Sequence, residues 1–214
     1  MKIASVRQAG SLLATFCALA VAPAAGQPAP GRLSNDGVAR AASQVDSVFV
    51  ARTKADGRVE GGDWASYLLA RLGTGRIPDS LGILVGIDST HIEVRGRLQD
   101  LPPEARVLLG PLARMVDSAT VVTAEVIMQR TGREVERFWL RGLRVNGFLL
   151  PEFILGSMMA SVGRQYPALT ASGRDLYVRI PPDGRLTLSD GALLIAVPPP
   201  AADTTGRQPP PRTP

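Results

Sequence analysis

The chain has 214 residues and a formal net charge of +5, with 24 Lys and Arg against 19 Asp and Glu. This length fits one globular domain of roughly 100–200 residues with tails. The basic residues do not form runs, so a nucleic-acid partner is not expected. Because Cys17 is the only cysteine, an intramolecular disulfide is excluded.

The first 26 residues have the pattern of a secretory signal peptide. Lys2 and Arg7 precede an apolar run from Leu12 to Ala22, and small residues suited to cleavage follow. The run is shorter than the ~20 residues of a membrane span. We therefore expect export to the periplasm or the extracellular space, with an uncleaved signal-anchor as the alternative. Residues 27–33 are then a linker, 34–197 a single domain and 198–214 a disordered proline-rich tail.

Two helices are predicted at the start of the domain. Apolar residues at spacings of three and four between Val38 and Phe49 predict the first, capped by Asn35 or Asp36 and ended by Gly57. The second has Asp63 as its N-cap candidate and ends at Gly73. Its apolar side carries Trp64, Tyr67, Leu68 and Leu72.

Alternating apolar residues then predict hairpins. The first joins "LGILVGID" to "IEVRGRL", and the second has about ten residues on each side of a turn at Gly132. Between them, a short helix after Pro102 and Pro103 is broken at Pro111. In the second hairpin Phe138 and Leu140 share a face, whereas Leu143 and Val145 fall on the opposite one. This phase shift across Gly142 predicts a bulge or bend.

The stretch "VNGFLLPEFILGSMMASVG", Val145 to Gly163, is the most apolar part of the domain. Asn146 and Gly147 end a strand, and Pro151 begins a helix that is too short to span a membrane. The strands "RDLYVRI", "LTL" and "DGALLIAV" follow. The order predicts an α+β fold in which a curved antiparallel sheet of hairpins wraps this long apolar helix, with further helices at the N-terminal end.

No catalytic or metal-binding pattern is recognisable. His91 is the single histidine and fits an exposed turn residue, without a partner at a recognisable spacing. Glu134 and Glu136 share one face of a strand and are interpreted as solvent-facing. No catalytic residue, metal ligand or cofactor is predicted, and we expect the protein not to be an enzyme.

The segments "GIDSTHIEVRGRLQDLP", "VNGFLLPEFILGSMM" and "LYVRIPPDGRLTLSDGALLI" resemble the exported bacterial YpmS-like and LmeA-like families, which are related to tubular lipid-binding (TULIP-like) domains. The resemblance covers about Leu81 to Val197. It implies a long helix lying in a curved antiparallel sheet, with an apolar groove for lipid tails and without catalytic residues.

These features predict an exported, non-catalytic protein that binds lipid or another hydrophobic ligand, with a peripheral membrane contact as a further expectation. The alternative is an envelope interaction or structural protein without a small-molecule ligand, whose protein partner the sequence does not name. A core helix covered on two sides explains the same apolar residues equally well. The predicted ligand-binding residues are Phe148, Leu150, Phe153, Ile154, Met158, Met159, Trp64 and Leu68.

Overall fold

The computed structural model describes residues 29–73, 75–79, 81–100, 117, 119–166 and 169–198. Within these residues the fold is α+β with antiparallel sheets, as the sequence predicts. The predicted signal peptide, the predicted helix broken at Pro111, and all but the first residue of the predicted disordered tail lie outside the described residues.

The described chain begins with two helices among short strands, continues with a run of strands, and has its last helix before the final three strands. The helices are α1 (Asn35–Val45), which continues into a π-helical turn (Asp46–Val50), α2 (Gly61–Arg71) and α3 (Glu152–Gln165). The strands are β1 (Gly31–Arg32), β2 (Asp56–Glu60), β3 (Leu84–Ile87), β4 (Ile92–Arg97), β5 (Val121–Arg130), β6 (Val135–Val145), β7 (Phe148–Leu149), β8 (Asp175–Arg179), β9 (Arg185–Ser189) and β10 (Ala192–Ala196). A single 3₁₀ turn, Leu98–Asp100, follows β4.

The strands form two sheets. The larger sheet has the order β1-β3-β4-β5-β6-β7, and β8 also pairs with β6. The first half of β6 therefore pairs with β8, and its end pairs with β7. The smaller sheet has the order β2-β10-β9, so β8 and β9 belong to different sheets although only a short turn separates them.

A bulge in β6 keeps the apolar residues on its two sides on one face of the larger sheet. Val126 pairs with Leu140, but Glu125 pairs with Gly142, so Arg141 is the extra residue. The predicted bulge at Gly142 is confirmed. Directly opposite residues share a face, and beyond the bulge Leu143 pairs with Ala124. The prediction that Leu143 and Val145 lie opposite to Leu140 was wrong, because the extra residue restores the phase.

We call this face the inner face. It carries Val85, Ile87, Ile92, Val94, Val122, Ala124, Val126, Met128, Glu136, Phe138, Leu140, Leu143, Val145, Leu176 and Val178.

Helix α2 covers part of the inner face. The N-terminal end of α2 lies directly against β1, since a Cβ at Gly62 would approach the carbonyl oxygen of Arg32 to 2.5 Å. Glycine is therefore required there. The Arg40 guanidinium donates to both carboxylate oxygens of Asp63, at 2.7 and 2.8 Å, and this pair joins α1 to α2.

The helix ends differ from the predicted ones. Ser34 caps α1, accepting from the Gly37 amide at 3.0 Å, and the helix stops well before Gly57, which lies in β2. Helix α2 begins at Gly61, so Asp63 is a first-turn residue rather than its cap. The end of α2 at Gly73, whose φ is +80°, is as predicted.

Helix α3 begins directly after Pro151, as predicted. Its C-terminal half packs on the turn before β8, because a Cβ at Gly163 would lie 2.5 Å from the carbonyl oxygen of Thr170. Within the described residues, no long apolar helix wrapped by a curved sheet is shown. The described helix that faces the larger sheet is α2. One side of α2 is apolar, and this side packs toward the sheet.

Candidate functional site

An apolar groove lies between α2 and the inner face. Its volume is about 310 Å³, which is within the range of small-molecule sites. The groove is lined by Leu33, Trp64, Ala65, Leu68, Leu69, Leu72, Ile83, Val85, Ile92, Val94, Val126, Phe138, Leu140, Leu169, Arg174 and Leu176. Only one of these side chains is charged. Such a lining suits the uncharged apolar part of a ligand, since a charged group inside the groove would lose hydration without gaining a partner.

The local sequence explains why α2 provides one wall. Trp64, Leu68 and Leu72 recur every four residues and so occupy one stripe of the helix. The buried Ser66 hydroxyl donates to the Gly62 carbonyl at 2.6 Å and accepts from the Ser34 amide at 3.0 Å. These bonds fix the orientation of α2 relative to the start of α1, and with it the position of the stripe over the sheet.

A second cavity of about 360 Å³ lies next to the groove. Trp64, Leu68, Leu72 and Leu176 line both cavities. The remaining walls of the second cavity are Val45, Phe49, Tyr67, Arg71, Tyr177, Val178, Arg179 and Ile180. The two cavities are thus neighbours along the same stripe of α2, and a flexible chain longer than the groove has a second, more polar space next to it, which Arg71 and Arg179 also line.

Trp64 is the wall residue with an unmet polar group. It is only 3% exposed, and its indole Nε1 has no hydrogen-bond partner in the described structure. The ring lies 5.7 Å from that of Tyr67 and 6.0 Å from that of Phe138, between centroids. A buried donor without an acceptor costs about 1–3 kcal/mol.

Arg174 is the charged residue that lines the groove, and its guanidinium is already engaged. It donates to the Leu140 carbonyl oxygen at 3.2 and 2.9 Å and to that of Arg141 at 3.3 Å, and it pairs with Glu152. It also lies 5.6 Å from the ring centroid of Trp139. Arg174 therefore ties the bulge of β6 to the start of α3, and most of its donors are used within the protein.

The predicted ligand-binding residues fall into two places. Trp64 and Leu68 line the groove. The other predicted residues, Phe148, Leu150, Phe153, Ile154, Met158 and Met159, lie around β7 and α3 and do not line it. Phe148 and Phe153 are 79% and 77% exposed. Sequence reasoning did not select the sheet wall, although the alternation of Ile92 and Val94 on β4 was a signal for it.

A polar cleft of about 560 Å³ lies at the opposite end of β6, between the β5–β6 and β8–β9 turns. Glu136 lies in its wall and is 2% exposed, so its interpretation as solvent-facing was wrong. Burial raises the pKa of Glu136, while Arg130, whose Nη1 lies 3.4 Å away, acts in the opposite direction. Arg130 also donates to the Gly184 carbonyl at 2.9 Å, and this bond joins the two turns.

His91 lies in the β3–β4 turn, with Nδ1 2.8 Å from an Asp88 carboxylate oxygen. The same carboxylate accepts from the amides of Thr90 and His91, and these bonds contribute to holding the pKa of Asp88 below its ordinary value, although desolvation alone would raise it. The contact between His91 and Asp88 is therefore part of the hydrogen bonding of the β3–β4 turn. Among the described residues, no group of three or more His, Cys, Asp and Glu side chains is placed to hold a metal ion.

No protein-family profile matches the chain, and no curated protein or solved structure is found to match it. In the described part of the chain, no helix is both long and apolar enough to cross a membrane. The fold and the groove therefore define an α+β protein with an apolar site between a helix and an antiparallel sheet.

Proposed function

We propose that the protein binds a lipid or another hydrophobic molecule, and that the groove between α2 and the inner face is the binding site. The observation that carries the proposal is the lining of the groove, in which Arg174 is the only charged residue and is already paired. In a core that binds no ligand, side chains would be expected to fill such a space, because atoms that line an empty space lose dispersion contacts.

The ligand has an uncharged apolar body, which is inferred from the wall of the groove. The neighbouring 360 Å³ cavity supports a long flexible chain rather than a compact ring system. Membership of the YpmS-like or LmeA-like family, export from the cytoplasm and a non-catalytic role remain parts of this proposal.

The test uses two substitutions on the same helix. Ala65 lines the groove, whereas Ala70 is exposed. Ala65→Phe places a phenyl ring in the groove, and Ala70→Phe adds the same ring outside it. We expect Ala65→Phe to weaken binding of a fluorescent fatty acid at least about tenfold, because one ring occupies volume that the ligand needs. Ala70→Phe should bind like the wild type.

The native ligand is sought in parallel. Protein purified from an exporting host is analysed by native mass spectrometry and by lipid extraction, and its melting temperature is measured with added phospholipid. Bound lipid in the wild type and its loss in Ala65→Phe are the expected results. If the wild type carries no lipid and its melting temperature is indifferent to added lipid, the groove is not a lipid site, and the envelope interaction protein becomes the better hypothesis.

A further inference from the structure

Helix α2 gives its two cavities different chemistry. Residues four apart on a helix lie in one row. Ala65 and Leu69 form a row that lines only the groove, whereas Tyr67 and Arg71 form a row that lines only the second cavity. The stripe that both cavities share lies between these rows. The helix therefore presents an apolar flank to the groove, and a phenol and a guanidinium to the second cavity.

Strand β8 forms the facing wall of the second cavity. All five residues from Leu176 to Ile180 line it. Alternate side chains of a strand point to opposite faces of the sheet. Because residues of both faces line the second cavity, it borders the edge of β8 rather than one face. Among the described strands, β8 pairs with β6 alone, so this edge is the one that faces away from β6.

The hydrogen bonds of β8 show which main-chain groups lie at that edge. The Ile180 amide donates to the Glu134 carbonyl on the β6 side at 2.8 Å. In an antiparallel pair the main-chain groups of successive residues point alternately toward and away from the partner. Those of Val178 therefore point toward β6, and those of Tyr177 and Arg179 point away from it.

The start of the free edge is already occupied. The Thr170 amide donates to the Asp175 carbonyl at 3.1 Å on this side of the strand. The described residues provide no hydrogen-bond partner there for the main-chain N–H of Tyr177 or of Arg179. The second cavity therefore has two main-chain donors in one wall and the side chain of Arg71 in the other.

No carboxylate of the described residues lines the second cavity. On the elements that form its walls, Asp63 of α2 pairs with Arg40, and Asp175 of β8 pairs with Arg137. Asp46 of the π-helical turn is exposed and lines neither cavity. The described walls of the second cavity thus combine hydrogen-bond donors with no negatively charged acceptor.

Arg71 is the residue of α2 that can supply positive charge to the second cavity. Its guanidinium carbon lies 5.9 Å from the centroid of the Tyr67 ring, one turn earlier, and this contact holds it beside the wall. None of the described ion pairs involves Arg71. A cation in the last turn also stabilises the helix end, and that role alone would require no ligand. The experiments below separate the two roles.

We propose that the ligand is an amphiphile with an anionic head, whose chain lies in the groove and whose head lies in the second cavity. The Arg71 guanidinium and the free N–H groups of Tyr177 and Arg179 donate to the oxygens of the head. The chain crosses between the cavities along the shared stripe, which is about 12 Å long from Trp64 to Leu72. This inference rests on the proposed function and deepens it. A carboxylate and a phosphate monoester share the required chemistry.

The first experiment compares three probes that have the same alkyl chain and different heads: dodecanoate, dodecyl phosphate and dodecanol. Each displaces a fluorescent fatty acid from the full chain, below its critical micelle concentration. At least one anionic probe should bind about tenfold more tightly than dodecanol, the value of a charge-assisted hydrogen bond. The tighter of the two anions identifies the head as a carboxylate or a phosphate. Equal affinity of dodecanol and both anions would overturn the proposal.

The second experiment removes the charge. Arg71→Gln should weaken binding of the preferred anion about tenfold and leave dodecanol unchanged. Arg164→Gln is the matched control, because Arg164 is also an exposed residue in the last turn of a helix and lines neither cavity. It should bind all three probes like the wild type. An Arg71→Gln protein that loses affinity for dodecanol and the anion alike would show that Arg71 acts on the helix end.

The third experiment removes one main-chain donor. Proline has no N–H, and at position 177 the lost N–H faces away from β6, so Tyr177→Pro keeps the pairing of β8 with β6. It should weaken binding of the anion about three- to tenfold relative to Tyr177→Ala, which retains the N–H. Val178→Pro removes an N–H that faces β6 and should lower the melting temperature instead. Equal affinity of Tyr177→Pro and Tyr177→Ala for the anion would exclude the free edge as a head site.

Failure of this inference and failure of the proposed function give different results. If the fluorescent fatty acid does not bind, the groove is not a ligand site and the head site falls with it. If the anions and dodecanol bind alike, the groove remains a ligand site and only the head site is lost. Ala65→Phe should weaken all three probes, because it fills the groove, whereas Arg71→Gln should weaken the anions alone.

Discussion

At the scale of single residues, a buried tryptophan and a buried glutamate carry most of the unusual chemistry. The indole of Trp64 has a donor without an acceptor, and the carboxylate of Glu136 has lost most of its hydration. Both groups make the folded protein less stable than an apolar side chain would at the same place, because they lose hydrogen bonds to water that the protein does not fully replace. Each therefore gives a substitution whose effect differs from that of an ordinary core change.

Trp64→Phe should leave the stability of the ligand-free protein within about 1 kcal/mol of the wild type. Truncating a large buried ring normally costs more, but here the change also removes an unsatisfied donor. The same substitution should weaken binding of a fatty acid by about two- to tenfold, because the groove loses part of the indole that lines it. Urea unfolding and fluorescent ligand titration measure the two effects.

Trp139→Phe is the control, since Trp139 lies outside the groove on the opposite face of β6. It should bind ligand normally. The chain has two tryptophans, so this variant leaves Trp64 as the sole emitter, and its emission should shift when the fatty acid is added. Unchanged emission at saturating ligand would place the ligand away from Trp64.

Glu136 should make stability fall as the pH rises. Burial raises the pKa of this carboxyl above its ordinary value of 4.5, so between the two values the folded protein holds more protons than the unfolded chain. The free energy of unfolding then decreases with increasing pH across that window. Glu136→Gln cannot lose a proton, and its urea midpoint should decline less between about pH 4 and about pH 7.

Glu134→Gln provides the comparison, because Glu134 is exposed and precedes the same strand. Its stability profile should follow that of the wild type. Parallel profiles for all three proteins would show that Glu136 does not contribute the expected pH dependence.

At the scale of secondary-structure elements, the bulge in β6 shows what local sequence can reveal. The apolar pattern of Phe138 and Leu140 changes phase before Leu143, and this change correctly predicts an irregularity at Gly142. The pattern could not show that the extra residue would return Leu143 to the inner face, since the pairing partner decides the face. Strand β2 was not predicted, because Asp56–Glu60 is short and mostly polar and depends on pairing with the distant β10.

Two glycines of α3 should respond in opposite ways to alanine. At Gly163 a Cβ would meet backbone atoms of the following turn at 2.5 and 2.7 Å, so Gly163→Ala should destabilise the protein by about 1–3 kcal/mol. At Gly156 a Cβ would meet none of the described residues within 4 Å, and Gly156→Ala should stabilise by about 0.5–1 kcal/mol through backbone entropy.

Thermal and urea unfolding compare these two variants directly. If Gly163→Ala were as stable as Gly156→Ala, this would contradict the close packing of α3 on the turn before β8. Both substitutions occur in one helix and have the same intrinsic propensity gain, so a difference between them reports the close backbone contact alone.

At the scale of the whole molecule, the α+β class and several hairpins follow from periodicity, whereas the location of the groove does not. The sequence showed two apolar helices, those at Trp64 and at Phe153, without showing which one faces the sheet. Helix α2 is held against the sheet by contacts between residues that are distant in the sequence, such as Gly62 with Arg32, and by the Arg40–Asp63 pair. Such long-range contacts leave no periodic signal, and this is why only two of the predicted site residues line the groove.

The two-sheet architecture makes a prediction about where a ligand stabilises the protein. Helix α2 and strands β3 to β6 and β8 provide groove residues, whereas the described residues of β2, β9 and β10 do not. Saturating fatty acid should therefore slow hydrogen exchange by local opening in α2, β4 and β5 more than in the smaller sheet, because the ligand must leave before these elements open. Ala65→Phe should show no such change. Protection concentrated in α3 instead would place the ligand where the sequence alone predicted it, beside Met158 and Met159, and would argue against the groove beneath α2.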